Sequence, residues 1–383
     1  MTRPAGRRSV SARLPDFPWD RLSSARARAE QHPAGLVDLS MGTPVDPTPQ
    51  VVRAALAAGA DAPGYPQTVG TAELRQAVAD WLRRRFEVAL SPDGVLPSIG
   101  LKELVGSLAV HLGLGQGDVV VVPELAYPTY EVGARLAGCE VVAADSLTAL
   151  GPRRPDLVWV NSPSNPTGRV LPAEHLAKTV AWSRERGALL VSDECYLELG
   201  WAESDADKPV SVLHPDVCGG THNGVLALHS LSKRSSMAGY RVGFVAGDGS
   251  VVAELLAVRR NLGLMMPAPV QRAAVVALGD DEHVDGVRAR YAGRRVVLWP
   301  ALEAAGFRID HSEAGLYLWA TRGEPCADTV DWFAERGILV APGSFYGPAG
   351  ARHVRVALTA TDERVAAAVA RLARSGAPAT PRR

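Results

Sequence analysis

The chain of 383 residues has only four cysteines, and they lie far apart in the sequence. No two of them form a C-x-x-C pair, and no histidine cluster stands at metal-ligand spacing, so nothing indicates a metal site or a disulfide framework. We expect these cysteines to be reduced and mostly buried thiols, as in a cytoplasmic protein; they are Cys139, Cys195, Cys218 and Cys326.

The chain also lacks a net charge and long apolar runs. Lys plus Arg and Asp plus Glu both number 41, so no global field favours nucleic acid or an anionic membrane. No apolar run approaches the roughly 18 to 20 residues of a membrane span, and no apolar segment of a secretory signal follows the basic N-terminus. We therefore expect a cytoplasmic protein whose partners are small molecules or a second copy of the chain.

Short apolar runs are what the chain does have, and between about residues 94 and 247 they alternate with helical patterns. Such runs are typical of strands covered on both faces, and the segments between them fit crossover helices. The pattern predicts an α/β fold with a mostly parallel, doubly wound sheet and a ligand site at the carboxyl ends of its strands. The predicted strands are Val119–Val122, Glu140–Ala144, Leu157–Val160, Ala188–Val191, Val225–Leu228 and Val242–Ala246.

After residue 250 the pattern changes to long helical periodicity and then to a smaller α+β region. Gly315–Ala320 and His353–Leu358 are the strand-like segments of that region. The chain length itself is typical of about two or three domains. We expect the Pro/Gly-rich segment from Ser375 to be a frayed tail.

Three polar motifs follow predicted strands: Asn165-Pro-Thr-Gly168, Asp193-Glu-Cys-Tyr196 and Ser230-Leu-Ser-Lys233. Taken singly, each has an ordinary explanation. The first motif can be a turn, the second a helix cap beside a half-buried tyrosine, and the third a surface lysine in a Ser/Gly loop. Lys233, however, is surrounded by small residues and followed eight positions later by Arg241. A lysine that forms an imine with an aldehyde cofactor needs close backbone approach, partial desolvation and a cation for the cofactor's phosphate.

The whole segment from Ser230 to Gly243 resembles the cofactor-attachment signature of the class I/II aminotransferases, the pyridoxal-phosphate enzymes of fold type I. The order and approximate spacing of the three motifs resemble that family as well, and the likeness runs from about Leu36 to Leu372. It implies a large cofactor domain over residues 41–275 and a smaller α+β domain over 276–383. It also implies that residues 1–40 pack with the smaller domain.

By this resemblance Lys233 is the Schiff-base lysine, Arg241 binds the phosphate of pyridoxal 5′-phosphate, and Ser230 belongs to the same cofactor site. Asp193 would pair with the pyridine nitrogen and keep it protonated, so that the ring withdraws electrons from a substrate carbanion. Tyr196 would donate its hydroxyl to O3′ of the ring. These roles make Lys233, Asp193 and Tyr196 the expected catalytic residues.

Other cofactor contacts are implied at the start of a helix and in an aromatic segment. Gly100, Leu101 and Lys102 would present backbone N–H groups to the phosphate, and only this main-chain role is carried over, because many members have a small or hydroxyl residue where Leu101 stands. Tyr127 would stack on the pyridine ring, with core packing as its alternative. Tyr65 would reach the phosphate of the neighbouring subunit's cofactor and so make the active unit a homodimer, with an ordinary loop aromatic as its alternative.

The substrate's α-carboxylate has its own implied site. Arg355 is charged within a strand-like pattern, and its planar fork matches a carboxylate bidentately. An internal salt bridge is the alternative explanation for this arginine. Asn165 would contact both O3′ and the carboxylate, and the backbone of Gly42 would line the same subsite.

Three stretches look closer to the succinyldiaminopimelate aminotransferases: Ser192–Trp201, His311–Ala320 and Gly337–Gly343. Leu262–Pro267 is apolar where aspartate-type members carry a second arginine, which argues against a short dicarboxylate acceptor. Arg259, Arg260 and Lys102 are candidates for binding a more distant carboxylate.

The expected function is therefore transfer of an amino group from glutamate to the succinylated keto acid of lysine and diaminopimelate biosynthesis. Another transaminase of the family, acting on alanine, methionine or an aromatic amino acid, is an alternative. A pyridoxal-phosphate lyase that cleaves a C–S or C–C bond and a non-catalytic cofactor-binding regulator are further alternatives. The regulator is disfavoured because the chain has no fused DNA-binding segment and no basic field.

Overall fold

A computed structural model of the chain describes residues 10–202 and 208–373. The predicted frayed tail lies outside the described residues. The strands are β1 (Val37–Asp38), β2 (Val95–Ile99), β3 (Val119–Val122), β4 (Glu140–Ala143), β5 (Leu157–Asn161), β6 (Leu189–Asp193), β7 (Val225–Ser230), β8 (Val242–Gly247), β9 (Arg308–Asp310), β10 (Tyr317–Thr321), β11 (Ile338–Leu339), β12 (Ala341–Pro342) and β13 (Val354–Ala357).

Helices connect these strands, as the sequence pattern predicts. They are α1 (Ser23–Glu30), α2 (Gln50–Ala58), α3 (Ala72–Phe86), α4 (Leu101–His111), α5 (Thr129–Ala137), α6 (Ala173–Arg186), α7 (Pro215–Cys218), α8 (Leu231–Arg234), α9 (Gly249–Asn261), α10 (Ala268–Gly279), α11 (Glu282–Ala304), α12 (Cys326–Ala334) and α13 (Asp362–Ala373). Short 3₁₀ turns include Pro18–Leu22, Ala238–Tyr240 and Gly343–Tyr346.

A seven-stranded sheet in the order β2-β8-β7-β6-β5-β3-β4 forms the centre of the molecule. Its strands are parallel except β8, which runs antiparallel to both of its neighbours. On one face Leu104 of α4 and Tyr130 of α5 pack on strand residues such as Trp159. On the other face α3, α6 and α10 contribute apolar side chains, among them Val78 and Leu176. The predicted doubly wound, mostly parallel α/β sheet is confirmed.

A second, antiparallel sheet in the order β12-β13-β10-β9 is formed by the C-terminal part of the chain. The N-terminal β1 pairs in parallel with β11, and Leu22 of the preceding turn shares a core with Phe333 of α12. Backbone hydrogen bonds thus tie the start of the chain to its end. The domain boundaries at residues 40 and 275 stay predictions, and α10 runs across the second of them.

Two sequence expectations about bulk properties can be compared with the structure. All four cysteines are free, and three of them, Cys139, Cys218 and Cys326, are buried, which confirms that they are unpaired and mostly internal. Within residues 10–202 and 208–373, no helix combines the length and the apolar character needed to cross a membrane.

Candidate functional site

A cavity of about 520 Å³ opens at the carboxyl ends of β5, β6 and β7, where the sheet topology places the ligand site of such folds. Most of the residues predicted from the sequence line it. They are Gly42, Leu101, Lys102, Tyr127, Asn165, Asp193, Tyr196, Ser230, Lys233, Arg241 and Arg355.

Lys233 enters the cavity from the short helix α8, which directly follows β7. The Ser230 hydroxyl caps this turn: it accepts the N–H of Ser232 and donates to the carbonyl of Val242, both at 3.1 Å. The Lys233 ammonium donates to the carbonyl oxygen of Gly42. Burial lowers the pKa of Lys233 from its ordinary value, which favours the neutral amine that attack on an aldehyde requires.

A buried ion pair that does not line the cavity anchors α8. The Arg234 guanidinium pairs with Glu198, donates to the carbonyl of Ala277 at 3.0 Å, and is 3% exposed. Glu198 also accepts the indole N–H of Trp81 at 3.3 Å. Breaking one partner of such a pair leaves an uncompensated buried charge, so this contact fixes the turn that carries Lys233.

A phosphate-sized cradle lies beside the lysine. Gly100 has φ 73°, a left-handed conformation that favours glycine, and a Cβ placed there would collide with the Arg241 guanidinium. Helix α4 begins at the next residue, and no side chain caps its N-terminus. Free N–H groups, a helix dipole and an arginine form an anion site, so the residues fit the phosphate of pyridoxal 5′-phosphate. Gly100 itself contacts Arg241 rather than the cavity.

Asp193 ends β6 as a buried carboxylate, 6% exposed. One oxygen accepts the Tyr130 hydroxyl at 2.8 Å, and the other accepts the N–H of Cys195 at 3.2 Å. Burial raises the pKa of Asp193, while these hydrogen bonds oppose that shift. The bond to Cys195 is the local capping contact anticipated as an alternative, but the bond to Tyr130 spans 63 residues and holds the carboxylate in the cavity wall.

The aromatic wall beside Asp193 is built from one predicted and one unpredicted tyrosine. Tyr127 lines the cavity, and its ring lies 5.8 Å from that of Tyr130 at 83°. Tyr130 in turn stacks on Trp159, with centroids 4.6 Å apart. Core packing therefore supports Tyr127 from behind, and one face of the wall stays open to the cavity. The only sequence signal for Tyr130 was its place in the same aromatic segment.

Arg355 is 2% exposed in β13, and no carboxylate in the part of the chain that the structure describes pairs with it. Its two terminal nitrogens donate to the Asn165 side-chain oxygen at 2.8 Å and to the Ser40 carbonyl at 2.7 Å, while Nε has no partner. The internal salt bridge considered from the sequence is absent among these residues. A buried charge whose hydrogen bonds go only to neutral oxygens is prepared for an external anion.

We expect Arg355→Lys to raise KM for both glutamate and the keto acid by roughly 10- to 100-fold, because a bidentate charged contact is lost. In the ping-pong scheme that the resemblance implies, one site would recognise the α-carboxylate of both substrates, so steady-state kinetics with each substrate varied in turn measures the effect. Arg352→Lys, an exposed neighbour, is the matched control. An increase for only one substrate would place Arg355 outside the shared subsite.

Tyr196 and the unpredicted Tyr317 meet beneath Arg355. Their hydroxyl oxygens are 3.1 Å apart, and the Arg355 guanidinium lies 3.9 Å above the Tyr317 ring. A Cβ at Gly42 would come within 2.8 Å of the Tyr317 ring carbon that bears the hydroxyl, so only glycine fits there. Tyr317 belongs to a stretch used to recognise a subfamily, but nothing in its sequence context indicated a place in the site.

Some of the candidate residues lie elsewhere. Tyr65 is 95% exposed in the loop between α2 and α3 and does not line the cavity. Arg259 is fully buried and pairs bidentately with Glu103 at 2.8 and 2.9 Å, so it has no free fork for a substrate. Arg260 is exposed on α9 and does not line the cavity either. Of the three candidates for a distant carboxylate, Lys102 alone is brought to the site.

The mouth of the cavity is formed by residues 14–19, which sequence reasoning did not assign. Trp19 lies between Phe17 and Phe345, with ring centroids 5.6 Å apart in each case. The Lys102 ammonium lies 5.4 Å from the centre of the Phe17 ring. The outer wall is thus mostly aromatic and apolar, with one cation, Lys102, at its edge and one exposed carboxylate, Asp16, which lies 3.7 Å from Arg21.

Comparisons with known proteins agree with this geometry. Residues 34–372 match the family model described as aminotransferase class I and II. The chain is 65% identical to a probable aminotransferase of Mycobacterium tuberculosis, covering 96% of this chain and 87% of that protein. It is 58% identical to the 4-dedimethylamino-4-oxo-anhydrotetracycline transaminase OxyQ of Streptomyces rimosus, covering 94% of this chain and 99% of that one.

More distant relatives are aminotransferases as well. The chain is 32% identical to an LL-diaminopimelate aminotransferase of Dehalococcoides mccartyi, over 94% of this chain and 96% of that protein. Among solved structures, an aminotransferase from Staphylococcus aureus superimposes with a TM-score of 0.87 at 25% identity, covering 97% of this chain and 99% of that chain.

Proposed function

Because this chain belongs to the class I and II aminotransferases, fold type I enzymes that depend on pyridoxal 5′-phosphate, we propose that it aminates the succinylated keto acid of diaminopimelate synthesis. In full, it acts as an N-succinyl-L,L-2,6-diaminopimelate:2-oxoglutarate aminotransferase, with glutamate as the amino donor. A cytoplasmic location in lysine biosynthesis goes with this proposal.

In this proposal the residues of the cavity have separate roles in transamination. The bound cofactor supplies an aldehyde and an electron-withdrawing ring. Arg241 and the N-terminus of α4 hold its phosphate, and Asp193 keeps a proton on its pyridine nitrogen. Arg355 and Asn165 bind the α-carboxylate, which orients the substrate's Cα toward the neutral amine of Lys233 for proton movement.

The observation that carries the substrate proposal is the cation at the mouth. Four basic side chains line the cavity: Lys233 and Arg355 are desolvated by burial, Arg241 is exposed beside Gly100, and Lys102 is exposed beside Phe17. In this proposal a long substrate anchored at Arg355 extends along residues 14–19 and binds Lys102 with its distal carboxylate. A short dicarboxylate would gain nothing from that wall.

A second candidate is an aromatic, polycyclic ketone. The transaminase OxyQ, 58% identical to this chain, is named for an oxo-anhydrotetracycline. The aromatic side chains Phe17 and Trp19 and the apolar Met41 at the mouth offer the flat, apolar contacts that such a ring system needs. Binding of such a ketone would not require a contact with Lys102.

The test is a panel of acceptors assayed with glutamate and purified enzyme: N-succinyl-2-amino-6-oxopimelate, oxaloacetate, pyruvate, an aromatic 2-oxo acid and a polycyclic aromatic ketone. We expect the succinylated acid to have the highest kcat/KM and oxaloacetate a low one. In ping-pong kinetics, the acceptor's kcat/KM is independent of the donor, so acceptors are compared directly. A preference for oxaloacetate would remove the proposal, and release of pyruvate, thiol or ammonia without transamination would indicate a lyase.

Lys102→Met separates the two candidates. Loss of one charge-assisted contact should lower kcat/KM for the succinylated acid about tenfold and leave that for an aromatic 2-oxo acid unchanged. Lys178→Met, which removes an exposed lysine paired with Glu174 on α6, is the control. An unchanged value for the succinylated acid, together with rapid amination of the polycyclic ketone, would favour the second candidate.

Assembly follows from the position of Tyr65. Its side chain is almost fully exposed in the single chain, and Leu262 on another loop is 58% exposed. We propose that the active unit is a homodimer in which Tyr65 reaches the phosphate bound by the neighbouring subunit. Exposed tyrosines gain most when a partner covers them and satisfies the hydroxyl.

Mixed dimers provide the prediction that tests this arrangement. A Lys233→Ala chain and a Tyr65→Ala chain, each impaired alone, should recover about one quarter of the parent activity when equal amounts exchange subunits at random. The working site then combines the lysine of one chain with the tyrosine of the other. Tyr65→Phe, which removes only a hydroxyl, should weaken cofactor retention without unfolding the subunit. Heterodimers that form but stay inactive would show that each site is built from one chain.

A further inference from the structure

Tyr317 connects the two halves of the site, and this connection has a chemical consequence. It begins β10, and its neighbour β13 carries Arg355 opposite Trp319, so Tyr317 and Arg355 are diagonal cross-strand neighbours. Tyr317 is 3% exposed and lines the cavity. Its ring faces Arg355, and its hydroxyl faces both Tyr196 and the backbone of Gly42.

The hydrogen bond between the two phenols can run in only one direction at a time. If Tyr196 donates to Tyr317, its single proton is used and cannot reach a ligand. If Tyr317 donates to Tyr196, the Tyr196 proton is free to point into the cavity. Within the described ranges, neither hydroxyl has another hydrogen-bonding partner, and burial raises the pKa of Tyr196 well above its ordinary value, so the proton is retained at neutral pH.

The ring of Tyr317 acts on a second group. Arg355 carries a buried charge that no described carboxylate neutralises, and its Nε lacks a partner. The face of Tyr317 at 3.9 Å attracts this cation, and Tyr346 lies farther away at 5.0 Å. Attraction between a cation and a π-face strengthens when both are desolvated, so contact with the ring helps to hold the guanidinium fork in place.

We propose that Tyr317 is a positioning residue with two roles. Its ring holds the fork of Arg355, which binds the α-carboxylate of each substrate. Its hydroxyl donates to Tyr196 and so directs the Tyr196 proton at the ring oxygen O3′ of bound pyridoxal 5′-phosphate. The proposal rests on the aminotransferase function proposed above, but not on the identity of the acceptor. The proposal predicts different effects for the hydroxyl and for the ring of Tyr317, so each can be tested separately.

Two substitutions separate them. Tyr317→Phe keeps the ring and removes the hydroxyl, so KM for glutamate should stay within about twofold of the parent value. The visible absorption band of the cofactor-loaded protein should titrate at a pH higher by about half a unit or more, because Tyr196 no longer accepts a hydrogen bond from Tyr317 and therefore donates more weakly to O3′, whose charged form is then less favoured. Tyr317→Leu removes both features and should also raise KM for glutamate and 2-oxoglutarate about tenfold.

Tyr291→Phe is the matched control, since Tyr291 is a buried tyrosine of the same core that does not line the cavity and whose hydroxyl has no hydrogen-bonding partner among the described residues. It should leave both the titration midpoint and KM unchanged. Cofactor content and circular dichroism establish that each variant is folded and loaded, and Tyr317→Phe keeps the test available if the leucine variant does not fold.

The absorption titration needs no acceptor, so it reports on Tyr317 even if the succinylated keto acid proves not to be the substrate. A midpoint that stays or falls in Tyr317→Phe would overturn the role of the hydroxyl, and a fall would mean that Tyr196 is the donor. An unchanged KM in a folded Tyr317→Leu protein would overturn the role of the ring.

Discussion

Replacing Lys233 by alanine should lower the rate of transamination by several orders of magnitude. Lys233 enters the cavity from α8 at the carboxyl end of β7, where burial lowers its pKa and favours the neutral amine. Lys102 cannot take over, because it is exposed and sits at the mouth against Phe17. Loss of the covalent attachment and of the proton-moving amine therefore leaves no substitute within reach.

Turnover of glutamate and 2-oxo acid by the variant, measured under single- and multiple-turnover conditions, tests this expectation. Lys178→Ala is the control, because that lysine is exposed on α6 and pairs with Glu174. A Lys233→Ala rate within about tenfold of the parent, a barrier change of only about 1.4 kcal/mol, would contradict the assigned role.

Asp193→Asn should keep the cofactor bound yet lose most of kcat. The asparagine oxygen can still accept the Tyr130 hydroxyl, which holds the side chain in place at the end of β6. Its amide group would offer the pyridine nitrogen a donor and could not keep a proton on that atom, so the cofactor would lose the electron-withdrawing character that transamination needs. Asp193→Glu retains the charge and should be milder.

Cofactor content, measured after release in alkali, separates loss of binding from loss of chemistry in these variants. A normal content with a strongly reduced kcat is the expected combination for Asp193→Asn. Near-parent rates would instead show that Asp193 serves only as the local cap of Cys195.

The central strands could be predicted from the sequence because they are buried on both faces and therefore read as apolar runs. Val119–Val122 matches β3 from end to end. Three other predicted strands stop one or two residues early, because β5, β6 and β7 continue to Asn161, Asp193 and Ser230. These last residues are polar because they face the cavity. A search for apolar runs therefore misses the end of each strand where it reaches the site.

The site was predictable to the extent that its motifs are local. Lys233 and Arg355 are marked by their sequence context and Asp193 by the order and spacing of the three motifs, and the structure brings all three to one cavity. Tyr317 and Tyr130 were missed because their contacts are made across 121 and 63 residues and depend on how the sheets pack.

Electrostatic pairing was equally inaccessible from the sequence. Nothing local shows that Arg259 is occupied by Glu103, 156 residues away, or that Arg355 is held by an amide and a carbonyl instead of a carboxylate. Both facts decide which arginine can bind a substrate, and both require the folded chain.

The attachment of the cofactor to Lys233 is the central claim, and borohydride reduction followed by peptide mapping tests it most directly. The chain has only four lysines, Lys102, Lys178, Lys208 and Lys233, so every possible position can be resolved. We expect a single pyridoxyl group, on Lys233. A label on any of the other three lysines, or a reduced protein with full cofactor content and no label, would contradict the account.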